Sequence, residues 1–315
     1  MTTHYVLALD IGGTKIAAGH VPVSGEPRVV GGTSVPTDAM RGGAAVLASI
    51  VDLVTGMLER APGRVMAIGI GSAGVADPAT GWITSATGTM PGWGGTPLGP
   101  TLQEATGLPV HLLGDVWAHA LGEHLLGAGR GHSSCLAVGI GTGIGGAMVE
   151  GGRVHTGAHN VAGHVGHLPH VLAEGRKCSC GRIGHVEPIA SGTGIAREYL
   201  RLTAEEVDGR TVDERAEAGD SAAVRVVEAA GRALGETIGA LANVLDPAII
   251  VLSGSVTRSG RTWWQAVRGG YAAQAMNPVA ATPIVVGELG GHAPLLGAAL
   301  GTGIVTVPGE HVSTT

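Results

Sequence analysis

The chain has 315 residues, 44% of them hydrophobic, no Phe and only 3% aromatic side chains, so it is long enough for two ordinary domains with aliphatic cores. A net charge of −6 argues against a partner as anionic as a nucleic-acid backbone. Three cysteines do not make a disulfide framework, and no uncharged apolar run reaches membrane-spanning length.

Fifty-six glycines without a collagen-like period mark turns and close backbone approaches. Lys15 and Lys177 are the only lysines beside 17 arginines, a skew that reads as coding bias. The start, "MTTHYVLALD", lacks the basic opening and cleavage site of a signal peptide, so the expected location is the cytosol.

Along the chain, "VLALDIGGTKIAAGHV" (6–21) reads as strand, Gly/Thr-rich turn and strand. A helix is predicted over 43–61, with Leu47, Ile50, Val54 and Leu58 on one face, ending before Pro62-Gly63. A buried strand follows over 65–74. "LAVGIGTGIGGAMVEG" (136–151) repeats the strand–turn–strand unit, its start 130 residues after the first. The repeat suggests two domains on one plan; chance likeness between glycine turns gives the same pattern.

The charge-rich stretch 202–221 reads as a solvated helix or loop. A long helix is predicted over 222–245, with Val227, Leu234, Ile238, Leu241 and Leu245 inward and Gly231, Gly235 and Gly239 open to a close neighbour. A core strand follows over 248–256, and the tail after about residue 306 reads as frayed. Helices alternating with strands indicate an α/β protein.

In "DIGGTK" the glycines join two strands, unlike the dinucleotide fingerprint, which opens a helix. Such a turn can offer successive amides to a phosphate. Gly12 and Gly13 would supply backbone, Thr14 a hydroxyl, Lys15 a charge, and Asp10 a carboxylate for magnesium through water. Gly141, Thr142 and Gly143 form the corresponding turn of the second unit. A plain β-turn is the alternative for either; two together point to ATP.

Six of 14 histidines fall between 155 and 185: His155, His159, His164, His167, His170 and His185. In "CSCGRIGHVE" (178–187), Cys178, Cys180 and His185 offer three zinc ligands, with His167 the best fourth and His164 and His170 nearby. A surface loop with free thiols is the alternative.

These segments resemble the ROK family of repressors, open reading frames and kinases, within the actin-like ATPase superfamily, from residue 6 to about 303. "LALDIGGTKIAAG" and "GIGTGIGGAMV" resemble its two phosphate motifs. "IGIGSAGVADPATG" resembles the segment before its sugar loop, and "MPGWGGTPL" (90–98) the loop itself. "AGHVGH", "CSCGRIGHVEPIASG" and "VLSGSV" correspond to its sugar/zinc region and adenosine-side turn.

The resemblance implies an α/β fold of two actin-like (ribonuclease H-like) domains with a nucleotide/sugar cleft between them. A smaller domain would span 1–116, with about 297–308 returning to it, and a larger one, carrying the zinc loop, 117–296. It implies ATP, Mg and a structural Zn held by His167, Cys178, Cys180 and His185. Asp115 falls on the catalytic base, Gly254 on the adenosine-side turn, and Gly92 in the sugar loop. His167 falls on a residue touching both zinc and sugar, and Glu187 on a carboxylate that accepts from sugar hydroxyls. Homodimers are usual in the family.

Three departures stand out. His185 replaces a third Cys, Gly114 replaces an Asn before the base, and His164 replaces a Glu. Trp117 also replaces a usual Asn. In glucose-phosphorylating relatives that Asn and that Glu bind the middle of the ring, so a different acceptor is expected. The reading is phosphorylation of the primary hydroxyl of a hexose-like molecule other than plain glucose: a 3-amino sugar such as kanosamine, then a seven-carbon cyclitol. An ordinary glucokinase- or hexokinase-type enzyme is the alternative. A sugar-sensing repressor would need an N-terminal helix-turn-helix, for which a phosphate strand beginning by residue 6 leaves no room, and intact Asp10 and Asp115 argue against a decayed site.

Overall fold

A computed structural model describes residues 3–307. The chain opens with the hairpin β1 (His4–Ile11) and β2 (Lys15–Pro22), followed by β3 (Val30–Pro36) and α1 (Gly43–Glu59). Next come β4 (Arg64–Ser72), β5 (Val75–Asp77), β6 (Trp82–Ser85), α2 (Leu98–Thr106), β7 (Val110–Gly114) and α3 (Asp115–Leu126). The second hairpin is β8 (Ser134–Ile140) and β9 (Ile144–Glu150), extended by β10 (Arg153–Val154). A loop then leads to α4 (Glu187–Ala190), α5 (Gly192–Thr203), α6 (Gly209–Glu217) and α7 (Ser221–Leu245). The chain closes with β11 (Ile249–Ser253), α8 (Arg261–Gln274), β12 (Ile284–Val286) and α9 (Ala293–Leu300).

Two sheets follow one plan, β3-β2-β1-β4-β7 and β10-β9-β8-β11-β12, an antiparallel meander continued by parallel strands. The sequence repeat is therefore a repeat of topology. Its structural offset is 129 residues (Ile11 to Ile140, Lys15 to Ile144), one less than the sequence starts suggest.

Two compact units result. Within the described residues, one comprises 3–133, 149–162 and 288–307; the other comprises 134–148 and 163–287. The first is built on an aliphatic core of β1, β4 and α1, the second on a core of β8, β11 and α7. The division differs from a boundary at 116/117 with a return at 297. Helix α3 stays whole in the first unit because it packs on α9: a methyl at Gly122 or Gly297 would run into the carbonyls of Ala293 or Ala118. Fully buried Glu123 also accepts the amides of Glu288 (3.0 Å) and Leu289 (2.9 Å), fixing where the chain rejoins. The segment is docked through Val307, with the Thr306 amide on the Val23 carbonyl at 3.1 Å; position 308 and the tail beyond it lie outside the described residues.

The buried stripe of α1 is Val46, Ile50, Val54 and Met57, while Leu47 and Leu58 only flank it. In the second unit, Gly231, Gly235 and Gly239 of α7 meet α8, where side chains would collide with the carbonyls of Trp263, Val267 and Tyr271. The stretch expected to be solvated contains α6, capped by Asp208 and burying Val212 and Ala216. Strand β11 ends at Ser253, three residues early, because Gly254 turns with φ +101°. Among the described residues, no helix is long and apolar enough to cross a membrane.

Candidate active site and metal centre

In the first unit, β1, β4 and β7 are parallel, and their register sets Asp10 beside Gly71 and Gly71 beside Leu113. Asp10 thus lies one residue before the end of β1, on the same C-terminal side of the parallel strands where β7 hands over to α3 at Asp115. Gly71 permits that approach: a Cβ there would lie 2.9 Å from Ala118 Cβ and 3.6 Å from Asp115 Cα. Asp115 is the first residue of α3, where the helix dipole favours an anion, and its Oδ1 accepts the Val116 amide at 2.8 Å. Burial, then the charge of Asp115, raises Asp10 to about 6 against the opposing pull of Lys15. Two mutually repelling carboxylates are a donor set that suits a divalent cation such as Mg.

The first glycine turn is closed by the Gly12 amide on the Lys15 carbonyl (3.0 Å). Buried Thr37 braces it: its hydroxyl donates to the Gly12 carbonyl at 2.6 Å and its amide to the Thr14 carbonyl at 3.0 Å. The 90–98 segment lies against this turn, since a Cβ at Gly13 would sit 3.7 Å from Met90 Cγ. Within that segment Gly92 is left-handed (φ +69°) and Trp93 is fully buried, its indole donating to the Ala73 carbonyl at 3.1 Å. At Gly114, the neighbour is the Trp117 ring, 3.4 Å from where a Cβ would stand. That indole donates to the Ala162 carbonyl at 3.1 Å.

In the second unit, the Gly141 amide closes the other turn on the Gly143 carbonyl at 2.9 Å. Gly141 and Thr142 line a cavity of about 680 Å³, together with Thr193, Asp208, Ser255 and Arg258. Gly254 directs the chain into this wall, and a methyl there would run into the backbone of Ile140. Thr193, Asp208 and Arg258 converge here from three separate segments, so sequence reading missed them; of the three, only Asp208 carries a local signal, as a helix cap.

Glu187 begins α4 and reaches in two directions. Its Oε2 accepts the Ile144 amide at 3.1 Å, at the exit of the second glycine turn. Its Oε1 accepts the Ser179 hydroxyl at 2.6 Å and lies 3.6 Å from Cys178 Sγ.

The ligand atoms of His167, Cys178, Cys180 and His185 lie within 4.8 Å of one another. Cys178 Sγ stands 3.3 Å from His167 Nδ1, and Cys180 Sγ 3.3 Å from His185 Nδ1. A zinc tetrahedron with ordinary Zn–S and Zn–N bonds has edges of about 3.3–3.8 Å, so the two sulfur–nitrogen contacts already match it and the wider separations, up to 4.8 Å, close with small side-chain adjustments. Burial holds His167 below the usual histidine range, keeping it neutral as a ligand must be, although Glu187 opposes this; His164 and His185 add to it. Burial likewise pushes the Cys178 thiol up to about 11, so its thiolate needs a cation beside it. The rings of His164 and His167 stack at 5.9 Å. His170 is committed elsewhere, its Nε2 on Glu236 at 3.0 Å and its Nδ1 accepting from the Leu172 amide at 3.2 Å.

The chain is similar to several known proteins along almost its whole length. A glucokinase from Halalkalibacterium halodurans is 32% identical over 315 residues, covering 94% of both chains. The crystal structure of the ROK hexokinase from Thermus thermophilus superposes with a TM-score of 0.83 at 36% identity, covering 94% of this chain and 97% of that one. A ROK family glucokinase from Streptomyces griseus, in complex with glucose and AMPPNP, gives 0.78 at 30% identity, with 94% and 98% covered. The ROK family profile matches residues 6–301, and this chain belongs to the ROK family.

Proposed function

We propose that this ATP-dependent carbohydrate kinase transfers the γ-phosphoryl group of ATP to the primary hydroxyl of a hexose of the glucose type. The observation that carries the reading is the pairing of Asp115 with Asp10 at the ends of parallel strands, beside a glycine turn bearing Thr14 and Lys15. Phosphoryl transfer rests on in-line positioning and charge neutralisation. Asp115 accepts the hydroxyl proton as the new O–P bond forms and the bond from γ-phosphorus to the bridging oxygen breaks, releasing ADP. Asp10 would hold the Mg that accompanies ATP, which would supply charge neutralisation on the phosphates. The amides around Gly12, Gly13, Gly141, Thr142 and Gly143 receive phosphate oxygens, and the cavity beside Gly254 takes the nucleoside. Gly92, His164, His167 and Glu187 line the acceptor side. His167, Cys178, Cys180 and His185 would hold a zinc, which would stiffen the acceptor loop.

Glucose-type hexoses lead because the relatives above are described as glucokinases and a hexokinase. A second reading, a 3-amino sugar such as kanosamine or a seven-carbon cyclitol, is favoured by one specific feature. Gly114 offers an indole neighbour in place of an amide, and His164 an imidazole in place of a carboxylate. A site without those polar groups loses little when the ring hydroxyl they would bind is replaced. The test is ADP release with glucose, other hexoses, 3-amino hexoses and cyclitols under one set of conditions. The largest kcat/KM on glucose supports the first reading, and a preference of tenfold or more for an aminated or carbocyclic acceptor supports the second. Sugar binding without ADP release would instead indicate a sugar-sensing regulator. The homodimer implied by the resemblance is tested by sedimentation.

A further inference from the structure

Ser179 is the single residue between the two zinc-site cysteines, and nothing about metal binding requires a hydroxyl there. Its Oγ nonetheless donates to Glu187 Oε1 at 2.6 Å, a charge-assisted bond. The other carboxylate oxygen is held by the Ile144 amide at 3.1 Å. Glu187 is thus gripped from two sides, by the cysteine turn and by the glycine turn. The cysteine turn is itself tight: the Cys178 amide bonds the Arg182 carbonyl at 2.8 Å and the Gly181 amide bonds the Cys178 carbonyl at 3.0 Å. Closing Cys178 and Cys180 on one ion would fix the backbone of Ser179 at both ends, and with it the hydroxyl.

We propose that Ser179 is a positioning residue for the acceptor, aiming Glu187 and making the aim depend on the metal-held turn. The proposal rests on the reading that Glu187 binds acceptor hydroxyls. Without the Ser179 hydroxyl, Glu187 Oε1 is left with only the Cys178 sulfur at 3.6 Å, which as a metal-bound thiolate has no proton to donate, so that oxygen swings about the Ile144 tether. Acceptor affinity falls while the metal stays, because Ser179 is not a ligand. The catalytic base sits on α3 and is untouched, so turnover at saturation changes little.

The experiment compares Ser179→Ala, Ser179→Thr and Glu187→Gln with the wild type, using zinc content, acceptor affinity by calorimetry without nucleotide, and the separate kcat and KM. Ser179→Ala is expected to keep its zinc, to raise acceptor KM and Kd about tenfold, as befits one bond to a charged group, and to change kcat less than about threefold. Ser179→Thr, which keeps the hydroxyl, recovers most of the affinity. Stripping zinc with a chelator weakens acceptor binding less in Ser179→Ala than in the wild type, because the link is already cut. The proposal falls if Ser179→Ala binds acceptor as the wild type does, if it loses zinc, or if Ser179→Thr resembles Ser179→Ala. Glu187→Gln separates the two levels: wild-type acceptor affinity in that variant would overturn the reading of Glu187 itself. Weakened binding there, with none in Ser179→Ala, would overturn only the role of Ser179.

Discussion

Replacing Gly143 by Ala tests how the second glycine turn and Glu187 depend on one another. A Cβ at Gly143 would stand 2.7 Å from Glu187 Oε2 and 3.5 Å from its Cδ, closer than carbon and oxygen tolerate. Gly143 does not have a positive φ, so the backbone accepts Ala without strain. The carboxylate, the end of a flexible side chain, is what gives way, and it loses the Ile144 amide. A hydrogen bond to a charged group contributes about 1.5–3 kcal/mol, so kcat/KM for the acceptor should fall roughly ten- to 150-fold. Stability should hold, with a thermal midpoint within about 4 °C of wild type, the equivalent of ~1 kcal/mol in a unit of this size. The assay is steady-state kinetics with each substrate varied in turn. A wild-type kcat/KM for acceptor in a folded variant would refute the argument. So would a loss confined to the KM of ATP, since the methyl would then be meeting nucleotide and not Glu187.

The remaining predictions concern the base, the metal and pH. Asp115→Asn should lower kcat by about 10²–10⁴-fold, the usual worth of a general base, with acceptor Kd by calorimetry nearly unchanged; unaltered turnover would remove Asp115 from that role. His185→Ala leaves three ligands, forfeiting about a quarter of the ~10–16 kcal/mol typical of structural zinc, so zinc retention against a chelator should drop by roughly 70- to 900-fold; full metal content in the variant would take His185 off the ligand set. His20, His111, His119 and His124 are all held below the ordinary 6.5 by burial, so their contribution to stability is present above that value and lost as pH falls through the lower folded values. Asp10, raised to about 6, has the opposite sign: its contribution is present below 3.8 and lost as pH rises through about 6. The metal-free thermal midpoint should therefore fall between pH 7 and 5 less steeply in wild type than in Asp10→Asn, which lacks the offset; parallel curves would contradict this. Activity should also decline below about pH 6 as Asp10 takes up its proton, and excess Mg should move the decline to lower pH.

Much of the architecture was legible because it is written in local patterns. The two hairpins, the extents of α1 and α7, and the α7 glycines that meet α8 all follow from short-range periodicity and turn chemistry. So does the metal tetrad, three of whose members lie within eight residues. What escaped depends on partners distant in sequence. Thr37 braces the first turn from 25 residues away, and nothing in "VPTDAM" distinguishes it from a loop threonine. The unit boundary is set by Glu123 binding amides at 288 and 289, a contact no window could contain. The face of α1 was misjudged by one position because Val46 and Met57 compete with Leu47 and Leu58 for the core, and only the packed sheet decides between them. Ser179 carries no signal in the sequence, since its partner Glu187, eight residues on, becomes meaningful only once the loop is folded.

The duplicated hairpins show how one local plan can serve two chemistries. At structurally equivalent places, the first turn ends in Lys15 and the second in Ile144. The first carries its own charges, with Asp10 on the entering strand and Lys15 on the leaving one, and Lys15 partly offsets the rise that burial and Asp115 impose on Asp10. The second has no charged residue from 139 to 149, and its anion comes from Glu187, 43 residues away. An amide given to Glu187 is not available to a phosphate, so the Ile144 end of this turn is committed to Glu187 while Gly141 and Thr142 line the cavity. A carboxylate one hydrogen bond from such a turn would repel a phosphate more strongly the closer it swung, so a rigid frame that holds it at a distance limits the repulsion. The cysteine–histidine loop, through Ser179, is positioned to be that frame, which on the proposed reading gives a zinc in that loop a reason to stand beside the second glycine turn.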